Sequence, residues 1–67
     1  MIEIARYKHF KGNVYDVLHI GINSETLEKV VVYKSITDGV VWVRPLNMFE
    51  EEVLVNGKKV KRFEKLA

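Results

Sequence analysis

Cysteine is absent from this chain, which excludes disulfide staples and thiolate metal sites together. Proline occurs once, at Pro45, and glycine four times, so no proline-rich or glycine-rich linker divides the sequence. Long apolar runs are also missing. The longest, Val30 to Tyr33 and Val40 to Val43, fall far short of the ~20 residues a spanning helix needs. The opening residues, Met1-Ile2-Glu3-Ile4-Ala5-Arg6, lack the basic segment and apolar stretch of a signal peptide. These absences lead us to expect a soluble, cytoplasmic protein with no membrane association. Neither sign of charge dominates: the formal net charge is +2, less than a strong electrostatic nucleic-acid footprint requires.

Polar groups suited to catalysis are scarce as well. The only serines are Ser24 and Ser35, the only histidines His9 and His19, and the only aspartates Asp16 and Asp38. Neither serine lies in a nucleophile-elbow motif, and Ser24 and Asp38 both fall in turn-forming contexts. We therefore expect no enzyme and no cofactor. A metal site built from His9, Asp16 and His19 has suitable ligand types. Three residues of regular strand, however, would place Asp16 and His19 on opposite faces. A histidine that packs through one edge and hydrogen-bonds through the other is the better reading, and no metal is expected.

With 67 residues the chain forms one domain with one core. Its middle is rich in β-branched and aromatic residues, and turn signals arrive every eight to twelve residues, the spacing of a small β-sandwich or barrel. Tyr7 to Phe10 reads as a first strand, followed by a turn at Lys11-Gly12-Asn13. Val14 to Ile22 reads as a second, with Val14, Leu18, Ile20 and Ile22 on one face and Tyr15, Val17 and His19 on the other. Asp16 interrupts the first face and suggests a bulge or twist there.

Lys29 to Thr37 reads as a central strand, and Asp38-Gly39 as a type I′ hairpin turn leading to Val40–Arg44. Pro45 ends that strand, and Pro45 to Phe49 reads as one tight helical or 3₁₀ turn plugging the end of a barrel. Glu51 to Val55, the Asn56-Gly57 turn, Lys58 to Val60 and a last strand near Arg62 to Leu66 complete the pattern. The expectation is an all-β fold: five or six short antiparallel strands with one short 3₁₀ or helical turn, as an SH3-like barrel or an open roll. Glu50, Glu51 and Glu52 precede a C-terminal stretch rich in lysine, so pairing of the two segments would neutralise much of this charge across strands.

The run Tyr7-Lys8-His9-Phe10-Lys11-Gly12-Asn13, with Tyr15, Val17 and Leu18, resembles the start of a small bacterial domain of unknown function, the family numbered 1653. The similarity continues through Ser24-Glu25-Thr26, Val31-Val32-Tyr33, Trp42-Val43-Arg44-Pro45, Met48-Phe49 and Arg62-Phe63. It departs at Ala5, where glycine is common, and at Lys61, where proline usually precedes Arg-Phe. The resemblance implies a compact β domain, alone or attached to others, and supplies no activity.

What remains is an aromatic and basic set: Tyr7, His9, Phe10, Tyr15, Tyr33, Trp42, Arg44, Phe49, Arg62 and Phe63. Phe10, Phe49 and Phe63 carry no polar handle and are expected in the core. Trp42 and Arg44 share a strand face by the period-two rule, and together suit a flat or anionic ligand through stacking and bidentate hydrogen bonds. The bland alternative is that Arg44 pairs with a glutamate and Trp42 caps the barrel. Tyr7, His9 and Tyr33 extend the surface if strands one, three and four are neighbours. The partner expected first is a protein or peptide. The second is single-stranded nucleic acid, met by a basic rim of Lys8, Lys11, Lys58, Lys59, Lys61 and Arg62. The third reading is a structural subunit of an oligomer.

Overall fold

The alternation of β-branched and aromatic residues is realised as seven antiparallel strands in a computed structural model that describes residues 2–66. In chain order these are β1 (Arg6–His9), β2 (Val14–Ile22), β3 (Lys29–Ser35), β4 (Val41–Pro45), the short helix α1 (Leu46–Glu50), β5 (Glu52–Val55), β6 (Lys58–Lys61) and β7 (Phe63–Lys65). Five strands form one sheet in the order β4-β3-β2-β1-β7, and β5 and β6 form a separate hairpin. The all-β reading holds. Its open form is the one adopted, because β4 ends the large sheet and no strand closes it into a barrel. The described residues form seven strands rather than five or six, with the two expected C-terminal strands realised as β6 and β7 on either side of Arg62.

Turn chemistry explains where the chain reverses. Asn56 and Gly57 both have positive φ, 51° and 78°, as the type I′ hairpin requires. At Asp38-Gly39 only Gly39 has positive φ, 74°. The expected two-residue turn is replaced by a four-residue loop over Ile36–Gly39. The Gly39 N–H donates to the Ser35 carbonyl at 2.9 Å, and Asp38 Oδ1 accepts from the Val40 N–H at 3.0 Å. The Asp38 side chain thus stabilises a loop instead of occupying a left-handed corner. The segment after Pro45 is an α-helical turn rather than 3₁₀, with Phe49 buried on its inner side.

The bulge suggested at Asp16 occurs two residues later. The pairing of β2 with β3 slips between Val17, opposite Tyr33, and His19, opposite Val32, leaving Leu18 as the extra residue. That slip reverses the facing of the second half of β2. Val17 and Ile20 both turn toward the core, whereas Leu18 and Ile22 are exposed, so the expected grouping of Leu18 with Ile20 fails. By the same slip Asp16, opposite Lys34, and His19, opposite Val32, share the outer face instead of opposing ones.

One aromatic cluster fills the inner face. Phe49 and Phe63 stack with ring centroids 4.0 Å apart and an interplanar angle of 4°. Tyr7 and Tyr33 meet the Phe49 ring edge-on at 5.3 and 5.4 Å. Tyr15, Tyr33 and His9 meet Phe63 edge-on at 5.8, 5.4 and 4.9 Å. Val17 and Val31 complete the buried set, with Ile2, Ala5, Ile20 and Leu46 packed around it. Phe10, expected inside, is 38% exposed. Strand β1 ends at His9, so Phe10 lies in the turn and rests on the His9 ring at 4.5 Å instead.

Truncating Phe49 to alanine removes about 3–5 kcal/mol, comparable to the roughly 3–5 kcal/mol that a core of this size supplies. Phe49→Ala is therefore expected to lose its cooperative urea transition, followed by circular dichroism. Leu54→Ala, at a site 71% exposed on β5, should shift stability by no more than about 0.5 kcal/mol.

Candidate functional site

The register places all five residues expected to form a binding surface on one face of the five-stranded sheet. Tyr33 pairs with Trp42 and Val31 with Arg44, while Tyr7 pairs with Tyr15 and His9 with Phe63. Residues directly opposite in an antiparallel pair share a face, and so do residues two apart along a strand. Strands β3 and β4 are neighbours, but β2 separates β3 from β1.

Burial divides the set. Tyr7 and Tyr33 are buried and belong to the core, offering only their hydroxyls. The Tyr7 hydroxyl donates to the Glu3 carbonyl at 2.9 Å and accepts from the Glu3 N–H. The Tyr33 hydroxyl accepts from Arg44 Nε at 3.2 Å. Tyr33 is therefore a positioning residue for Arg44. Trp42 is 51% exposed, and His9 and Arg44 are half-buried at the margin of the cluster.

Arg44 is held in two ways: by the Tyr33 hydroxyl, and by the Phe63 ring, whose centroid is 5.8 Å from the guanidinium carbon. A cation over an aromatic face is attracted by the ring quadrupole. No carboxylate among the described residues pairs with Arg44. The glutamate pairing considered from the sequence is made elsewhere, between Arg62 and Glu51. The Arg44 charge is thus oriented by its neighbours, with no anion beside it among the described residues. Trp42 lies two strand residues away, about 7 Å along the chain.

His9 connects this region to Phe63 from the opposite side. Its ring packs edge-on against Phe63, and its Nδ1 accepts the Lys11 N–H at 3.1 Å. It therefore packs through one edge and hydrogen-bonds through the other, as the sequence suggested. Asp16 and His19 are on the other face, and Asp16 is held by Arg6 Nε at 2.7 Å and Nη2 at 3.2 Å. Burial lowers the His9 pKa below its ordinary value of 6.5, and the positive charges of Arg44, Arg62 and Lys11 act in the same direction.

Two features of the surface are not evident from composition. A groove of about 320 Å³ runs between β1 and the β5–β6 hairpin, lined by Lys8, His9, Phe10, Val55, Val60 and Lys61, with Glu64 at its side. Lys11 Nζ stands 5.9 Å from the centre of the Phe10 ring there. The second feature is the uncovered side of β4, where Val41 and Val43 are 52% and 62% exposed. Pro45 was the available signal for it, since a proline inside a strand belongs at a sheet edge.

A family model described as "Protein of unknown function (DUF1653)" matches residues 5–65. A crystal structure of a protein belonging to DUF1653 from Bordetella bronchiseptica superposes with a TM-score of 0.89 at 28% identity, covering 97% of this chain and 87% of that one. No curated protein matches the chain.

The lowered His9 pKa sets a pH dependence. The unfolded chain binds the proton more readily, so the stability contributed by neutral His9 is present above pH 6.5 and declines as the pH falls below it. The Asp16 pKa is lowered by its hydrogen bond from Arg6, so its contribution is lost only below its ordinary value of 3.8. Urea midpoints for the wild type are expected to fall between about pH 8 and pH 5, and His9→Gln should reduce that fall. An equal fall in both proteins would assign the effect to another group.

Proposed function

The chain belongs to the DUF1653 family, and we propose that it is a non-enzymatic binding module that recognises a protein or peptide partner through the surface around Trp42 and Arg44. The observation that carries this reading is the state of Arg44. Its guanidinium is oriented by the Tyr33 hydroxyl and the Phe63 ring, has no carboxylate partner among the described residues, and stands beside an indole that is half in solvent. Tryptophan and arginine are the residue types most often found to dominate interface energetics. A guanidinium held in advance gives up less side-chain freedom when it meets a carboxylate or an aromatic ring. Phe10, Lys8, Lys11 and Lys61 around the neighbouring groove support a second reading, binding of single-stranded nucleic acid by stacking beside a basic rim.

The test is recovery of partner from lysate by the immobilised domain. The Trp42→Ala, Arg44→Gln double variant, shown by circular dichroism to remain folded, should weaken recovery by about 100-fold or more, since each hot spot is worth about 2 kcal/mol. Unchanged recovery would count against the proposal. The nucleic-acid reading predicts association with single-stranded RNA that weakens steeply with salt and is impaired by Phe10→Ala. No association at low salt would remove it.

A further inference from the structure

Strand β4 is at one end of the large sheet, with β3 on one side and no strand of the described residues on the other. The Ser35 N–H donates to the Val40 carbonyl at 2.9 Å, and the register continues through Tyr33↔Trp42 and Val31↔Arg44. Exchange pairs alternate along an antiparallel ladder, so the N–H and C=O of Val41 and Val43 turn away from β3, whereas the Pro45 carbonyl, at the N-cap of α1, is taken by the first bond of the helix. No turn, loop or side-chain hydrogen bond among the described residues reaches the Val41 and Val43 groups. The proline's missing N–H falls at an outward position, where it costs the β3–β4 ladder nothing.

Sheet edges are usually blunted by charge, bulges or a covering segment. Here Val41, Trp42 and Val43 are each more than half exposed. We infer that this edge joins two copies of the chain, β4 pairing antiparallel with β4 of a second copy about a two-fold axis at Val43, so that two five-stranded sheets become one of ten. The inference rests on the reading of Trp42 and Arg44 as a recognition surface, and it names the partner.

The edge fits itself on both faces. With Val43 opposite Val43, the two valines exchange their backbone hydrogen bonds. On the outer face this lays Val43 on Val43 and Val41 beside Pro45, extending the half-buried strip of Val30 and Val32. On the inner face Trp42 of each copy falls opposite Arg44 of the other. Both indoles then receive a cation, and both unpaired guanidinium groups receive a π-face. The two Arg44 residues stand two positions apart along the strands, so no like charges face each other directly. An unrelated strand would satisfy the backbone groups, whereas a second copy satisfies the side chains as well.

Sedimentation of the wild type between about 10 μM and 1 mM should show a monomer–dimer equilibrium, with the emission of Trp42, the only tryptophan, moving to the blue on association. Val43→Lys sets two ammonium groups opposite each other at an exposed site and should weaken association by roughly tenfold or more. Register is tested by oxidation, because the chain has no cysteine of its own. A Val43→Cys variant should cross-link into a covalent dimer, since exchange pairs hold Cα atoms about 5.5 Å apart, within disulfide range. A Trp42→Cys variant should not.

A wild type that stays monomeric throughout, a dimer indifferent to Val43→Lys, or cross-linking through Trp42→Cys in place of Val43→Cys would overturn the proposal. A monomer that still captures a partner through Trp42 and Arg44 would overturn the pairing and leave the binding reading standing. A dimer whose partner recovery ignores the Trp42, Arg44 double variant would overturn the binding reading and leave the pairing.

Discussion

The contact between Phe49 and Phe63 joins parts of the molecule that hydrogen bonds do not. Phe49 comes from the short helix α1 and Phe63 from β7 at one end of the large sheet, and their rings lie 4.0 Å apart and nearly parallel. Four further rings close around the pair edge-on, a geometry that aromatic quadrupoles favour and that contributes about 0.5–1.5 kcal/mol per pair beyond burial. With no disulfide and few fully buried aliphatic side chains, this cluster is the principal apolar contact that α1 makes with the sheet. It also reaches the surface, because Phe63 is the ring on which both Arg44 and His9 rest.

Electrostatics at the margin follow from that arrangement. Arg44, Arg62 and Lys11 all raise the positive potential at His9, and Arg62 is itself paired with Glu51. Burial first, and these cations with it, make the neutral imidazole the less costly state, as the lowered pKa reflects. The remaining ion pairs, Arg6 with Asp16 and Lys65 with Glu3, are exposed and contribute little. Positive charge is therefore concentrated where the aromatic cluster meets solvent.

The legible parts of the fold were those set by local chemistry. Asn56-Gly57 specified its hairpin because both positions tolerate positive φ, and the alternation in Val30–Ser35 revealed which side of β3 is buried. Trp42 and Arg44 fell together by the same rule. What local chemistry did not settle depended on partners distant in the chain. Phe10 looked like a core residue because its type is apolar, but it follows the inward-facing His9, where β1 ends and where alternation would in any case turn it outward. Leu18 became the bulge because β3 offers one residue fewer to pair with, and nothing at Leu18 itself announces this. Tyr7 and Tyr33 share Trp42's face, yet the rings above them decide their burial.

The bulge at Leu18 sets how β2 can change length. Every side chain of β2 before it is in one phase with β3 and every one after it in the other, so loss or gain of a residue elsewhere in the strand would exchange inside for outside beyond that point. Removing Leu18 alone would restore an unbroken ladder and keep Val17 and Ile20 indoors. The position works like a frameshift suppressor written into the backbone, a single joint at which evolution can shorten the strand without rewriting the interior.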